Sequence, residues 1–190
     1  MRFITAAAVG LALSLSACVD VDMETEVLGA DQARLSGYMQ VQRAMFEMMG
    51  GSSDFCPADE GGTMQMTDTH ARCTITQSGT FAEIFEAPAP DGAPTPTATD
   101  LGDGTVRVTF PLGEMSDELD ELSSDPNMVA MFRPMMEGHS VVLRISGAEI
   151  ISSNGTISSD RTSAMLKIAL TDLLDGPQAV PESFEAVVRY

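Results

Sequence analysis

Val19-Asp20-Val21-Asp22-Met23-Glu24-Thr25-Glu26-Val27 sets an uncharged residue at every odd position and an acid at every even one. Side chains of a strand point alternately to its two faces, so this stretch predicts a half-buried β-strand. The same two-residue period returns at Val106, Val108 and Phe110, again at Ala164, Leu166, Ile168 and Leu170, and over Phe184 to Tyr190. Arg72 to Thr76, Thr80 to Phe85 and Val141 to Ile145 also read as strands, and Ile150-Ile151, a turn at Ser153-Asn154-Gly155-Thr156 and Ile157 read as a hairpin. Two stretches read as helices. Asp31 to Met49 carries a cap at Asp31, apolar Leu35, Tyr38, Met39, Met45, Phe46 and Met49, and a stop at Gly50-Gly51. Ser124-Asp125-Pro126 opens a second helix through Met128, Val129, Met131, Phe132, Met135 and Met136, with Pro134 expected to kink or end it before Gly138. Ser116 to Leu122 is a shorter, acidic helix candidate, and residues 87–104, with Pro88, Pro90, Pro94 and Pro96, read as an exposed loop. The expectation is an α+β domain, one antiparallel sheet of about six to eight strands with two main helices, and no internal repeat.

The chain has 190 residues, 28 Asp and Glu against 10 Lys and Arg, and a formal net charge of −18. That length makes one domain. The charge excludes a nucleic-acid binder, since little here neutralises phosphates, and it excludes a polybasic patch on anionic lipid. With aromatics at 5% and no Trp, aliphatic and Met side chains are expected to fill most of the core.

Residues 1–17 read as a secretory signal peptide, with a cation at Arg2, an apolar run from Phe3 to Leu15, and small residues after it. The run is too short for a membrane-spanning helix, which needs about 20 residues. It ends in Leu15-Ser16-Ala17-Cys18, which resembles the lipobox of bacterial lipoproteins. That resemblance implies that Cys18 is thioether-linked to diacylglycerol, that the chain is cut before it, and that the new amino terminus is acylated. An ordinary signal peptide with an unmodified Cys18 is the competing reading. Two or three acyl chains suffice for stable anchoring, so the expectation is a lipid-anchored extracytoplasmic domain spanning 18–190. Because the alternating strand starts directly after Cys18, the folded part is expected close to the lipid surface. Val19 rather than Asp behind the Cys leans toward the outer membrane.

Cys56 and Cys73 remain, in a compartment that permits disulfides, and one pairing is open to them. Two free thiols or a metal pair are the alternatives, although the spacing is not that of a zinc knuckle. The block from Val141 to Leu170, running through Ser146-Gly147, the Ser153-Asn154-Gly155 turn and Asp160-Arg161-Thr162, resembles the LppM-like bacterial lipoprotein family. The resemblance implies a membrane-anchored extracytoplasmic domain that handles lipid or glycolipid, and it supplies no catalytic residues.

The residues carry no catalytic motif. His70 and His139 are the two histidines and neither sits in a recognisable arrangement, so an enzyme is not expected and no cofactor is implied. Asp20, Asp22, Glu24 and Glu26 share one strand face; a solvated face is the first reading and a weak calcium site the second. Methionine is abundant, with 14 in the chain. Core filling explains it first, a lining for lipid or another hydrophobic ligand second. A third reading is a soft copper site on Met64, Met66 and His70. Asn154-Gly155-Thr156 matches a glycosylation acceptor but reads better as a turn. The expected partners are the membrane, through the anchor, and a hydrophobic ligand; the sequence names no protein partner.

Overall fold

The computed structural model describes residues 19–48, 50–51, 55–58, 61–85, 95–113 and 126–190. The signal segment with Cys18, Met49, the acidic helix expected over 116–122 and much of the Pro-rich stretch lie outside the described residues. The strands are β1 (Val19–Gly29), β2 (Gln32–Gln42), β3 (Gly62–Met66), β4 (His70–Gly79), β5 (Thr97–Gly102), β6 (Thr105–Pro111), β7 (Ser140–Ser146), β8 (Glu149–Ser153), β9 (Thr156–Ile157), β10 (Ser163–Ala169) and β11 (Ser183–Arg189). Short helices interleave them: α1 (Arg43–Met48), α2 (Phe81–Phe85), α3 (Pro126–Met136) and α4 (Leu170–Leu173). Seven strands form one sheet in the order β3-β4-β2-β1-β7-β10-β9, and four form a second in the order β5-β6-β11-β8. The fold is α+β and mostly antiparallel, with β1 and β7 as a parallel pair.

β1 behaves as its alternation predicts. Val19, Val21, Thr25 and Val27 are buried, while Asp20, Asp22, Glu24 and Glu26 are half-buried on the opposite face. The helix expected over Asp31 to Met49 is instead a strand, β2, followed by the short α1. The chain turns after Gly29 and pairs with β1 from Val27↔Ala33 to Val19↔Val41, while its other edge pairs with β4 from Ala33↔Gly79 to Gln42↔His70. Ladders on both edges pair the backbone of β2 from Ala33 to Val41 and outweigh a helix that would bury only one stripe. Gly37 fits this place closely, since a Cβ there would sit 2.1 Å from the carbonyl oxygen of Asp22.

Thr80 to Phe85 also departs from expectation, forming α2 rather than a strand. The Thr80 N–H donates to Glu83 Oε2 at 2.8 Å and the Glu83 N–H donates to Thr80 Oγ1 at 3.1 Å, the reciprocal capping box that starts a helix. Phe81 and Ile84, three apart, then face the core. The hairpin expected around Asn154 is not one: β8 pairs with β11 in the second sheet and β9 with β10 in the first, so the chain changes sheets at that turn. Asn154 holds the crossing by donating from Nδ2 to the Ser183 carbonyl and accepting at Oδ1 from the Glu185 N–H, both at 2.8 Å. Within the expected Pro-rich loop, Thr97–Gly102 is an edge strand, because pairing with β6 needs only backbone groups. Its turn, Gly102-Asp103-Gly104, holds three successive residues at positive φ, as hairpin turns of this twist require.

The core draws on both sheets. Val106, Val108, Ile145, Ile150, Phe184, Ala186 and Val188 are fully enclosed, and helices contribute Phe46, Phe81, Ile84, Leu170 and Leu173. Full burial of one such aliphatic or aromatic side chain is worth about 1.5–3 kcal/mol. Phe81, Phe85, Phe110 and Phe184 form a chain of ring contacts with centroids 5.9 to 6.3 Å apart, tying α2 to the second sheet. Methionine does not fill this core. Among the described residues none is in the buried set, and Met23, Met39 and Met136 pack against it only in part. Cys56 and Cys73 are joined, across a separation of 17 residues, which in the chain-entropy account stabilises by about 3 kcal/mol. With Ile75 and Phe55 the bridge makes a small second cluster that fastens the loop before β3 to β4.

Candidate functional site

The polar face of β1 is a row of carboxylates, each with its own partner. Asp20 accepts from the Ser140 N–H and lies against His139 Nδ1, both at 3.1 Å. Asp22 pairs with Arg144, Glu24 accepts from Ser146 Oγ at 2.6 Å, and Glu26 pairs with Arg34 at 3.3 Å. The row is therefore stitched to β7 and β2 rather than merely solvated. Among the described residues no three His, Cys, Asp or Glu side chains gather as a metal site. The weak-calcium reading has no geometry behind it.

The strand register divides the three residues considered for copper. Met64 pairs with Cys73 and Met66 with Ala71, so both thioethers share the face of those two residues, while His70 is one step along β4 and points to the other face. His70 Nδ1 instead contacts Thr69 Oγ1 at 2.8 Å. His70 belongs to an open cleft of about 650 Å³, together with Gln42, Arg43, Glu47, Asp68 and Thr69. There the Glu47 carboxylate accepts from Arg43 Nε at 2.8 Å and holds that guanidinium charged, above its ordinary range. Neither this cleft nor the His139–Asp20 contact carried a sequence signal, because their members come from distant strands or from a strand read as helix.

His139 and Asp20 form an imidazole–carboxylate pair at the edge of the polar face. An acid–base role would further require a nucleophile at the second ring nitrogen, and among the described residues no hydroxyl or thiol is hydrogen-bonded there. The pair instead joins the start of β7 to the start of β1.

Val19 opens β1, and the registers set four further features at the same end: the start of α1 after Gln42, the β3–β4 turn after Met66, the end of α3 leading into β7, and α4 after Ala169. These elements carry exposed methionines, Met48 at 82%, Met131 at 55% and Met66 at 43% relative exposure. α3 begins at Pro126 as the sequence predicts and continues through Pro134 to Met136, yet none of its residues is fully buried. Arg133 on this helix pairs with Asp175 at 2.6 Å, fixing it beside α4. The far end of β1 carries exposed Leu28, and Tyr190 after β11 and Leu101 beside the β5–β6 turn are exposed on that same side. Among the described residues no helix is long and apolar enough to cross a membrane.

No family model matches the chain, and no curated protein matches it. The seven- and four-stranded arrangement is similar to a solved structure, the folded domain of LppM from Mycobacterium tuberculosis determined by NMR, at a TM-score of 0.50 and 14% identity. The likeness covers 91% of this chain and 90% of that one, and at such identity it is a likeness of fold that agrees with the LppM-like reading of the Val141 to Leu170 block.

Proposed function

We propose that this chain is a lipid-anchored lipoprotein of the bacterial envelope whose folded domain is a non-catalytic binding or interaction module for lipid or another hydrophobic ligand. The observation that carries the reading is the Leu15-Ser16-Ala17-Cys18 lipobox placed directly before β1, with no linker between modified cysteine and folded sheet. The LppM-like fold supports it. Exposed methionines on α1 and α3 supply adaptable apolar surface for a hydrophobic ligand, as unbranched thioether side chains do elsewhere. Binding rather than catalysis fits two histidines that contact a threonine hydroxyl and a carboxylate. The anchored domain faces the periplasm, with the outer membrane favoured over the inner by Val19 behind the cysteine.

Labelling cells with a radioactive fatty acid tests the anchor. The expected result is label in the unchanged chain and none in Cys18→Ala, which leaves the membrane fraction. A Cys18→Ala chain that still fractionates with membranes overturns the anchor. Native mass spectrometry then reads the ligand, with added mass extractable into organic solvent expected and an apo mass counting against a lipid cargo.

A further inference from the structure

We infer that the Val19 end of the sheet is a membrane-contact face, on which Met48, Met66 and Met131 insert into the bilayer and hold the domain down on the lipid. The inference rests on the lipoprotein reading and goes beyond it, since an anchor alone leaves the domain free to turn above the surface.

The topology carries the argument. β1 starts one residue after Cys18, so a lipid on Cys18 fixes this end, and no other, at the membrane. The chain returns to the same end in β2, β4, β7 and β10, and each return delivers a connection: α1, the β3–β4 turn, α3 and α4. Met48 and Met131 stand exposed on two of those connections, and Met66 at the end of β3 that leads into a third. Solvent-facing methionine at three separate places on one end is a costly arrangement for a domain surrounded by water, and a suitable one for a surface that meets lipid. Of the four helices described, α3 is the one that buries none of its residues completely against the domain.

Charge selects the kind of lipid. The arginines on these helices are already engaged, Arg43 by Glu47 and Arg133 by Asp175. Asp20, Asp68 and Glu137 add negative charge to the same end. Contact is therefore apolar, suits zwitterionic lipid, and is insensitive to salt.

The chain contains no Trp, so single-tryptophan variants report without background. Met48→Trp and Met131→Trp replace exposed side chains and disturb no core contact, and Leu28→Trp is the control. Leu28 lies nine residues up β1, about 30 Å from Val19 at strand rise, beyond the roughly 5–10 Å depth of an interfacial insertion. The full-length lipidated variants are reconstituted into phosphatidylcholine vesicles with and without brominated acyl chains. Expected are a blue-shifted emission from Met48→Trp and Met131→Trp that brominated lipid largely quenches, unchanged by added salt, and a Leu28→Trp emission quenched only by aqueous iodide. Vesicle flotation is read on the same samples. Flotation together with iodide-accessible, bromolipid-insensitive Met48→Trp and Met131→Trp overturns the contact face and leaves the anchor standing. Failure to float overturns both. A charged, membrane-impermeant oxidant offers a check without substitution: on vesicles, Met48 and Met131 of the unchanged chain should resist sulfoxide formation relative to the soluble Cys18→Ser chain, and equal oxidation overturns the face.

Discussion

Thr25→Val should make this protein more stable. Thr25 sits in β1 between Leu35 of β2 and Ile145 of β7, and only 1% of it is exposed. Its hydroxyl oxygen is the one buried side-chain polar atom without a hydrogen-bond partner among the described residues. Enclosing an unpartnered hydroxyl costs about 1–3 kcal/mol on protein mutational scales. Valine keeps the branched shape and the strand preference and puts a methyl where the oxygen was, so the expected gain is about 1–2 kcal/mol. For a domain of this size that corresponds to a rise in Tm of roughly 3–6 °C. The assay is urea unfolding of the Val19–Tyr190 domain with its disulfide intact, read as a higher midpoint at unchanged slope. Thr25→Ser serves as the opposite control, since it keeps the hydroxyl, deletes the methyl and should lose stability. A lower midpoint for Thr25→Val would refute the reasoning, because it would mean that the hydroxyl has a partner worth more than its desolvation.

A Cβ at Gly147 would lie 2.4 Å from Val188 Cγ1 and 3.2 Å from the Arg189 carbonyl, so Gly147→Ala should cost about 1–3 kcal/mol in thermal unfolding, and Val188→Ala should cost less in that chain than in the unchanged one. Replacing Cys56 and Cys73 together by Ala should lower stability by about 3 kcal/mol, and reductant should then have no further effect on the melt. Hydrogen bonds from the Thr80 backbone and hydroxyl hold the Glu83 carboxyl below its ordinary 4.5. A depressed folded-state pKa contributes stability that is complete above the ordinary value and is lost as pH falls through the lowered one. NMR titration of Glu83 should therefore show its midpoint moving up in Thr80→Val, and an unmoved midpoint would remove the capping box from α2.

Strands with one clean alternation and one buried face were legible: β1, β6, β10 and β11 lie where the two-residue period sets them. β2 was misread because its residues satisfy two periods at once. Ala33, Leu35, Met39 and Val41 alternate, but Leu35, Tyr38, Met39 and Met45 also fall at helical spacing, with Asp31 and Gly50-Gly51 in cap positions. Local signals tie, and the ladders to β1 and β4, the second running from Gln42↔His70 to Ala33↔Gly79 and so made by residues distant in sequence, decide. α2 failed for the reverse reason, since Thr80 and Glu83 carried a helix start that the flanking strand residues masked. At the site, the cysteine pair was legible because only one pairing remained open. The methionines were misjudged because composition counts residues and does not say which end of a sheet the connections occupy.

β1 meets β7 across 120 residues of chain, so until that contact is made one edge of the chain's most strongly alternating strand has no mate. An unmated, uniformly patterned edge is the kind of segment that recruits its own copy from a neighbouring chain. In β1 such an encounter would bring Asp20, Asp22, Glu24 and Glu26 of one chain against the same row of another, acid opposite acid at every second residue. The carboxylates that later clasp Arg144, Ser146 and Arg34 thus act first as gatekeepers, keeping two nascent copies apart until β7 arrives with the residues they fit.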